Sequence, residues 1–579
     1  MANRSRSPLG PATMSTPHAT ERTPLLSNPQ HDESNSLAPP TSTTPPNPIA
    51  SSSTLLPPFR RLLLAALLQA LSFVATATPI IFSFRTMSCE IYYERNPPYQ
   101  GNGDRCARKE IDATTASAIS LMVTLTTFSG LLNLFTTGWI IRRRGVKLAM
   151  TLQTLVPCVR NVCQIYGIFH GGLLGIRLIQ WTQLLTIFGG GGGYMLTANS
   201  YAAALVTPEE RTASFGILQG FLMLGTALGY TRESDRKFIA SQKSSLADLW
   251  FTTVGGLVDD MFGAPAPFEM TLGLLILSTL LSVFFLPYIA PDAQSPKLND
   301  EGVLAPLKIF WPRYVQVEGT SCSVRYWGMT WLAIGSFLGV FATAFVPLAL
   351  QLTATNMFGF GPKNNGYLLS LTAVSRAGFL TFAFPRAIAR GRIWLSGPKV
   401  EPSPPSAPTT PPRAPTQAKD LEPLSLNPDE LTESAPVPKP TDQVHGSQFD
   451  LFFLRMSMLV DACLTACVTF TTLGWHVYLA ALILPLASGT APAAKGVIME
   501  LVEPSQQSLA LQAIALVESL AMVSTVSVLG IAFAMLSEVG KGPWIFVANG
   551  SIALVAAGTL MLVRFPPRGV VGTAVGGGE

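Results

Sequence analysis

Apolar runs of about 20 residues, each closed by a short polar or charged turn, recur along this chain from residue 58 to residue 568. A run of that length lets an α-helix cross the hydrocarbon core of a bilayer. The most informative pair is Phe188–Tyr230, two such runs around the charged break Thr207-Pro208-Glu209-Glu210-Arg211. Five glycines, Gly189 to Gly193, lie in the first run. Without side chains there, a neighbouring helix backbone can approach closely. Leu486–Gly530 has the same layout: small residues, an apolar run, a Pro-led polar break and a second apolar run. Pro208 and Pro504 take the same place in the two copies, so the chain carries an internal repeat.

The pattern predicts twelve spans, at about 61–84, 113–141, 147–169, 177–206, 212–230, 267–289, 325–351, 366–390, 450–472, 477–499, 507–535 and 543–563. They divide the chain into a tail 1–57, a six-span half 58–290, a connector 291–324, a six-span half 325–568 and a tail 569–579. The tail 1–57 and a loop 394–447 are rich in Pro, Ser and Thr without apolar periodicity and are expected to be disordered. Thr231–Phe251 is polar inside a Gly-rich helix end, and reads either as a loop on the non-cytoplasmic face or as an insertion. Leu307–Val315 reads as a short amphipathic piece at the membrane surface.

Composition narrows the class. Hydrophobic residues make up 48% and charged residues 13%, with mean hydropathy +0.36, too apolar for a soluble globule of this size. The net charge of +5 lies mainly in loops and tails. Twelve spans put the basic turns 142–147, 386–392 and 564–568 on one face, which the positive-inside rule makes cytoplasmic. No basic patch interleaves with aromatics, no phosphate-binding Gly-rich motif occurs, and the seven cysteines show no metal-ligand spacing. Nucleic acid, a metal, a cofactor and an enzymatic activity are therefore not expected. There is no apolar segment at the start, so a cleaved signal peptide is not expected either. Cys89 and Cys106 lie on the face opposite Arg60 and Arg61 and would pair if that side is oxidising. Glu21-Arg22-Thr23-Pro24-Leu25-Leu26 resembles an acidic dileucine signal, which a sorting adaptor reads. The expected setting is a multi-pass protein of the plasma or vacuolar membrane, with the lipid bilayer as its surroundings.

The two Pro-led breaks are six spans apart, an even number, so they share a face and the halves are parallel repeats. Between spans two and three stands Gly138-Trp139-Ile140-Ile141-Arg142-Arg143-Arg144-Gly145-Val146-Lys147. This resembles the signature of the major facilitator superfamily, a Gly and an acidic residue before a basic-Gly-basic cluster, with Arg142 where that family has Asp. After span eight only Arg390-Gly391-Arg392 remains of the counterpart. The resemblance implies an all-α membrane fold of twelve helices in two parallel-repeat six-helix halves. It implies a secondary transporter moving a small-molecule substrate by alternating access, with protons as the coupling ion. In texture the chain is similar to fungal facilitators related to proton-coupled folate transporters and tetracycline exporters. Glu209 and Glu210 lie on the same face as Arg142 to Arg144 and are candidate gating partners. A non-transporting sensor on the same fold is the alternative.

Ionisable residues near span centres are costly unless paired or solvated, so each is a functional candidate. Arg160, Arg376, Asp461 and Glu518 fall there. Arg376 and Asp461 are expected to neutralise each other. Glu518 sits among Gln512, Ser519, Ser524 and Thr525 with no basic residue close in sequence, which makes it the candidate proton carrier. Lys495 reads as a snorkelling residue near the cytoplasmic end of span ten. Pro485, Gly489 and Pro492 are expected to bend that span. Gln180, Gln183, Tyr194 and Asn199 on span four are candidate substrate contacts.

Overall fold

The computed structural model describes residues 57–76, 79–97, 105–106, 108–234, 266–289, 305–316, 323–396, 443–503 and 506–565, all within one compact unit. The first half begins with α1 (Pro58–Ala75), α2 (Pro79–Arg95), α3 (Lys109–Arg144) and α4 (Val146–His170). It continues with α5 (Gly172–Trp181), α6 (Gly191–Leu205), α7 (Arg211–Ser234) and α8 (Ala266–Leu280). A short α9 (Ala305–Lys308) and the antiparallel strands β1 (Arg313–Gln316) and β2 (Ser323–Tyr326) form the connector. The second half comprises α10 (Gly328–Thr343), α11 (Val346–Phe358), α12 (Pro362–Gly378), α13 (Phe384–Ser396) and α14 (Gln443–Cys467). It ends with α15 (Gly474–Ile483), α16 (Thr490–Leu501), α17 (Gln507–Glu538) and α18 (Trp544–Met561).

Among the described residues, ten helical segments are long and apolar enough to cross a membrane. The expected third and fourth spans, α4 and α5–α6, are helical but not among the ten. Both carry polar residues at depth, including Gln153, Arg160, Asn161, Gln183 and Asn199.

The repeat read from the two prolines recurs in the backbone. α6 and α16 each end three residues before their proline, and the next residues, Val206 and Val502, adopt nearly the same extended conformation (φ −123°, ψ 156° and φ −120°, ψ 153°). Arg211 and Gln507, each three places past its proline, both donate to the carbonyl eight residues back, on Ala203 (3.3 Å) and Met499 (3.5 Å).

The two halves meet along two crossings that the repeat exchanges: α7 against α12, α13 and α16, and α17 against α3 and α6. At the first, Gly220 lies so near Thr381 Oγ1 and the Ala377 carbonyl that a Cβ would stand 2.3 and 3.2 Å from them. Close backbone approach of this kind is how membrane helices gain packing energy when lipid offers no hydrophobic drive. One apolar cluster runs through both halves, from Leu134, Tyr201 and Phe215 to Leu454, Ile498 and Ile514.

Several sequence expectations change here. Leu307–Val315 is not one amphipathic helix: α9 ends at Lys308, Ile309 and Phe310 are buried, and Arg313 begins a strand. Among the described residues the fold is all-helical apart from that hairpin. Helix α13 runs to Ser396 and α14 begins at Gln443, so both ends of the expected loop 394–447 are helical, and 397–442 lies outside the described residues. The tail 1–56, with Glu21, Leu25 and Leu26, and residues 235–265 also lie outside them. Helix α7 carries on through Ser234, into the polar segment that follows Tyr230.

Candidate functional site

Two spans, one in each half, are broken at corresponding places. Span four runs as α5, a 3₁₀ turn Thr182–Ile187, an extended Gly190 (φ −161°, ψ 173°) and α6. Span ten runs as α15, a 3₁₀ turn Leu484–Ala487 and α16. A break frees backbone N–H and C=O groups, which in a bilayer must find partners inside the protein.

In the first half they do so through two amides. Asn133 on α3 accepts from Gly193 N–H (2.6 Å) and donates to the Ile187 carbonyl (3.2 Å). Gln153 on α4 accepts from Gly190 N–H (2.8 Å) and donates to the Phe188 carbonyl (3.2 Å) and to Thr137 (2.7 Å). A Cβ on Gly193 would stand 2.2 Å from Asn133 Oδ1 and 2.4 Å from Thr137 Oγ1, so the glycine is what admits these side chains. In the second half Ser457 on α14 donates to the freed Ala487 carbonyl (2.7 Å). In many secondary transporters, discontinuous helices at corresponding places in the two repeats lie at the ligand site.

Just beyond the break in span ten lies an ion pair. Lys495 Nζ on α16 stands 3.3 Å from Glu518 Oε2 on α17. Lys495 is 5% exposed, so it does not snorkel to the surface, and Glu518 is not the isolated carboxyl that its sequence neighbours suggested. Arg376 on α12 and Asp461 on α14 act on each other electrostatically, without a direct ion pair. Arg160 on α4 donates to Thr186 Oγ1 (3.1 Å), and its buried Nε has no partner.

The face carrying the basic turns is closed by contacts between the halves. Within the second half Arg392 on α13 holds the fully buried Asp450 through Nε (3.1 Å) and Nη2 (2.5 Å), and across to the first half it donates to the Glu209 main-chain carbonyl. Thr212 on α7 donates to the same Asp450 carboxylate (2.6 Å). At the second crossing Arg142 donates to Gln512 Oε1, and Gln512 donates to the Leu134 carbonyl (3.0 Å). Gly138 lies against the Gln512 amide, with room for no Cβ, and Gly145 turns the chain with φ 89°. Arg142, which stands where the signature this motif resembles has Asp, thus makes a polar link to α17.

The other candidate residues divide plainly. Arg143 stacks over Trp139 (5.1 Å), while Arg144, Lys147, Glu209 and Glu210 stand at the same end of the bundle, Glu209 entering the closure through its main chain. Gln180 donates to the Ala118 carbonyl and Gln183 to that of Ile179, Asn199 donates to the Met195 carbonyl, and Tyr194 is 1% exposed. In this conformation all four are buried in helix packing instead of facing open space. On the opposite face Cys89 of α2 and Cys106 are joined by a disulfide, with Cα atoms 5.4 Å apart. Asp450, Thr212 and Lys495 were missed as site residues. The repeat alone offered a signal for Lys495, since it follows the small-residue stretch that answers to Gly189–Gly193.

No protein-family model matches the chain. A major facilitator-type transporter, psiT1 of Psilocybe cyanescens, is 23% identical over 396 residues, covering 65% of this chain and 79% of that protein. The human organic anion transporter MFSD10 (TETRAN) superposes with a TM-score of 0.57 at 12% identity, over 87% of this chain and 100% of its own. The E. coli fucose:proton symporter FucP superposes at 0.54 and 12% identity, over 88% and 99%. These superpositions, with ten helical segments able to cross a membrane among the described residues, show that the chain has the major facilitator fold.

Proposed function

We propose that the chain is a secondary active transporter that moves a small solute by alternating access, with protons as the coupling ion. The observation that carries the reading is the closure between the halves at the basic-turn face. It is built from a few side-chain contacts, Thr212 with Asp450, Arg392 with Thr212 and the Glu209 carbonyl, and Arg142 with Gln512, laid over glycine-lined crossings. Such contacts exchange for water when the halves rock, while each half keeps its own core.

The Lys495–Glu518 pair supports the coupling. A proton that binds the Glu518 carboxylate cancels its charge and removes the attraction to Lys495. The ammonium is then a lone charge in a buried place, a costly state that favours a different arrangement of α16 and α17. Binding and release of that proton on opposite faces would tie the conformational cycle to the proton gradient.

The test is full-length protein reconstituted in vesicles with an imposed pH gradient and a pH dye inside. Proton movement that depends on an added solute supports the reading. Solute movement with no effect on internal pH removes the coupling, and no movement of any solute leaves the non-transporting sensor in its place.

A further inference from the structure

Among the described residues, the buried and partly buried cations Arg392, Lys495, Arg376 and Arg455 each have a charged or carbonyl partner, although the buried Nε of Arg376, like that of Arg160, makes no hydrogen bond. Arg392 holds Asp450, Lys495 holds Glu518, and Arg376 acts on Asp461. Arg455 donates to three carbonyls at the end of α18, on Leu560, Met561 and Val563. Arg160 has no carboxylate among the described residues, and no charged group acts on it. Its guanidinium makes one hydrogen bond, to Thr186, and its Nε is buried without a partner.

Its depth rules out an answer from the membrane surface. On α4 it lies about 15 Å from the His170 end and about 21 Å from the Val146 end, at 1.5 Å per residue. A guanidinium carries five N–H donors in a fixed fork suited to carboxylate or phosphate, so a single neutral hydroxyl leaves most of that capacity unused.

A second observation points to the same spot. Thr186 closes the 3₁₀ turn of span four, and its methyl stands where a Cβ on Gly190 would meet it, at 2.5 Å. Gly190 precedes the first turn of α6, a helix of 15 residues whose first two residues, Gly191 and Gly192, are exposed. The first-turn N–H groups of a helix lack intrahelical acceptors and form the positive end of its dipole. Asn133 and Gln153 take up those of Gly193 and Gly190. Thr186 therefore stands between an uncompensated guanidinium and a helix N-terminus, both inside the membrane.

We infer that this is the docking point for an anionic group, a carboxylate or phosphate, borne by the transported solute. The inference rests on the reading of the chain as a carrier and adds the substrate class. An organic anion entering the first half supplies the counter-charge that the protein withholds from Arg160, so the site binds best when occupied. Neutral and cationic solutes leave the guanidinium bare.

The experiment uses vesicles carrying the full-length protein, incubated with a defined mixture of carboxylic acids, sugar phosphates, neutral amino acids, polyols and amines, and read by mass spectrometry. The solutes retained by the wild type are expected to be carboxylates or phosphates. Arg160→Gln should lower their retention at least tenfold, and Arg160→Lys, which keeps the charge but loses the fork, should keep part of it. Both variants are to be monodisperse on gel filtration, so that the lysine form controls for folding. Retention of neutral or amine solutes alone, or of acids equally by Arg160→Gln, overturns the inference while leaving the carrier intact. Retention of nothing by the wild type removes the carrier reading itself. The assay is run in phosphatidylcholine and again with phosphatidylglycerol. A need for the anionic lipid that Arg160→Gln abolishes would assign the guanidinium to a lipid phosphate and overturn the inference as well.

Discussion

Lys495 and Glu518 lie on successive spans, so no single window of sequence shows them as neighbours. Once paired, neither can be changed alone without leaving the other as a buried charge, which costs about 3–5 kcal/mol in comparable pairs. Glu518→Gln should therefore lower both coupled uptake and folded yield. Adding Lys495→Met should restore the yield, measured by thermal unfolding in detergent, but not the uptake. Recovery of uptake in the double variant would show that the pair is structural. The sequence marked Glu518 as a candidate because carboxylates at mid-span are rare. It missed Lys495 as the partner because a lysine six residues from a helix end looks able to reach the surface, and only the packing of α16 shows that it cannot.

At the scale of the element, the break in span four depends on borrowed hydrogen-bond partners. Asn133→Leu removes the acceptor of Gly193 N–H, orphaning that group at about 1–3 kcal/mol, and also removes the donors to Gln153 and to the Ile187 carbonyl, which keeps the Thr136 hydroxyl. Ser457→Ala removes one donor, to the Ala487 carbonyl of span ten. The first variant should lower the melting temperature more than the second, and equal shifts would argue that the break in span four is held by something else. Gly193→Ala should destabilise by about 1–3 kcal/mol, because the added methyl must displace Asn133 or Thr137. The glycine run was legible as a place of close approach. Its use as a break was not, since five consecutive glycines say that side chains are excluded without saying whose atoms fill the space. The break in span ten was easier, because Pro485 removes a backbone donor and so interrupts the helix by itself.

Across the whole molecule, the repeat around Pro208 and Pro504 is legible in the amino-acid sequence, and the matching contacts of Arg211 and Gln507 show the two copies built alike. The closure between the halves is not legible there, because Arg392, Asp450 and Thr212 come from three distant segments, two of them flanking the long loop. Asp450→Asn should weaken that closure and raise the population in which the basic-turn face is open. Spin labels at the exposed positions Glu210 and Ala389, with Cys158, Cys163, Cys322, Cys463 and Cys467 replaced, should then report a longer distance than in the parent. An unchanged distance distribution would place the gate elsewhere.

The central claim, a proton-coupled carrier, meets its most direct test in the uptake step. Vesicles with wild-type protein and an acidic exterior should accumulate the transported solute above its outside concentration, with internal acidification in step. Glu518→Gln should exchange the same solute at equal concentrations and fail to accumulate it, since exchange never requires the carrier to return empty with its carboxylate deprotonated. Accumulation by Glu518→Gln at the wild-type rate would contradict the assignment of Glu518, and wild-type accumulation that ignores the pH gradient would contradict proton coupling altogether.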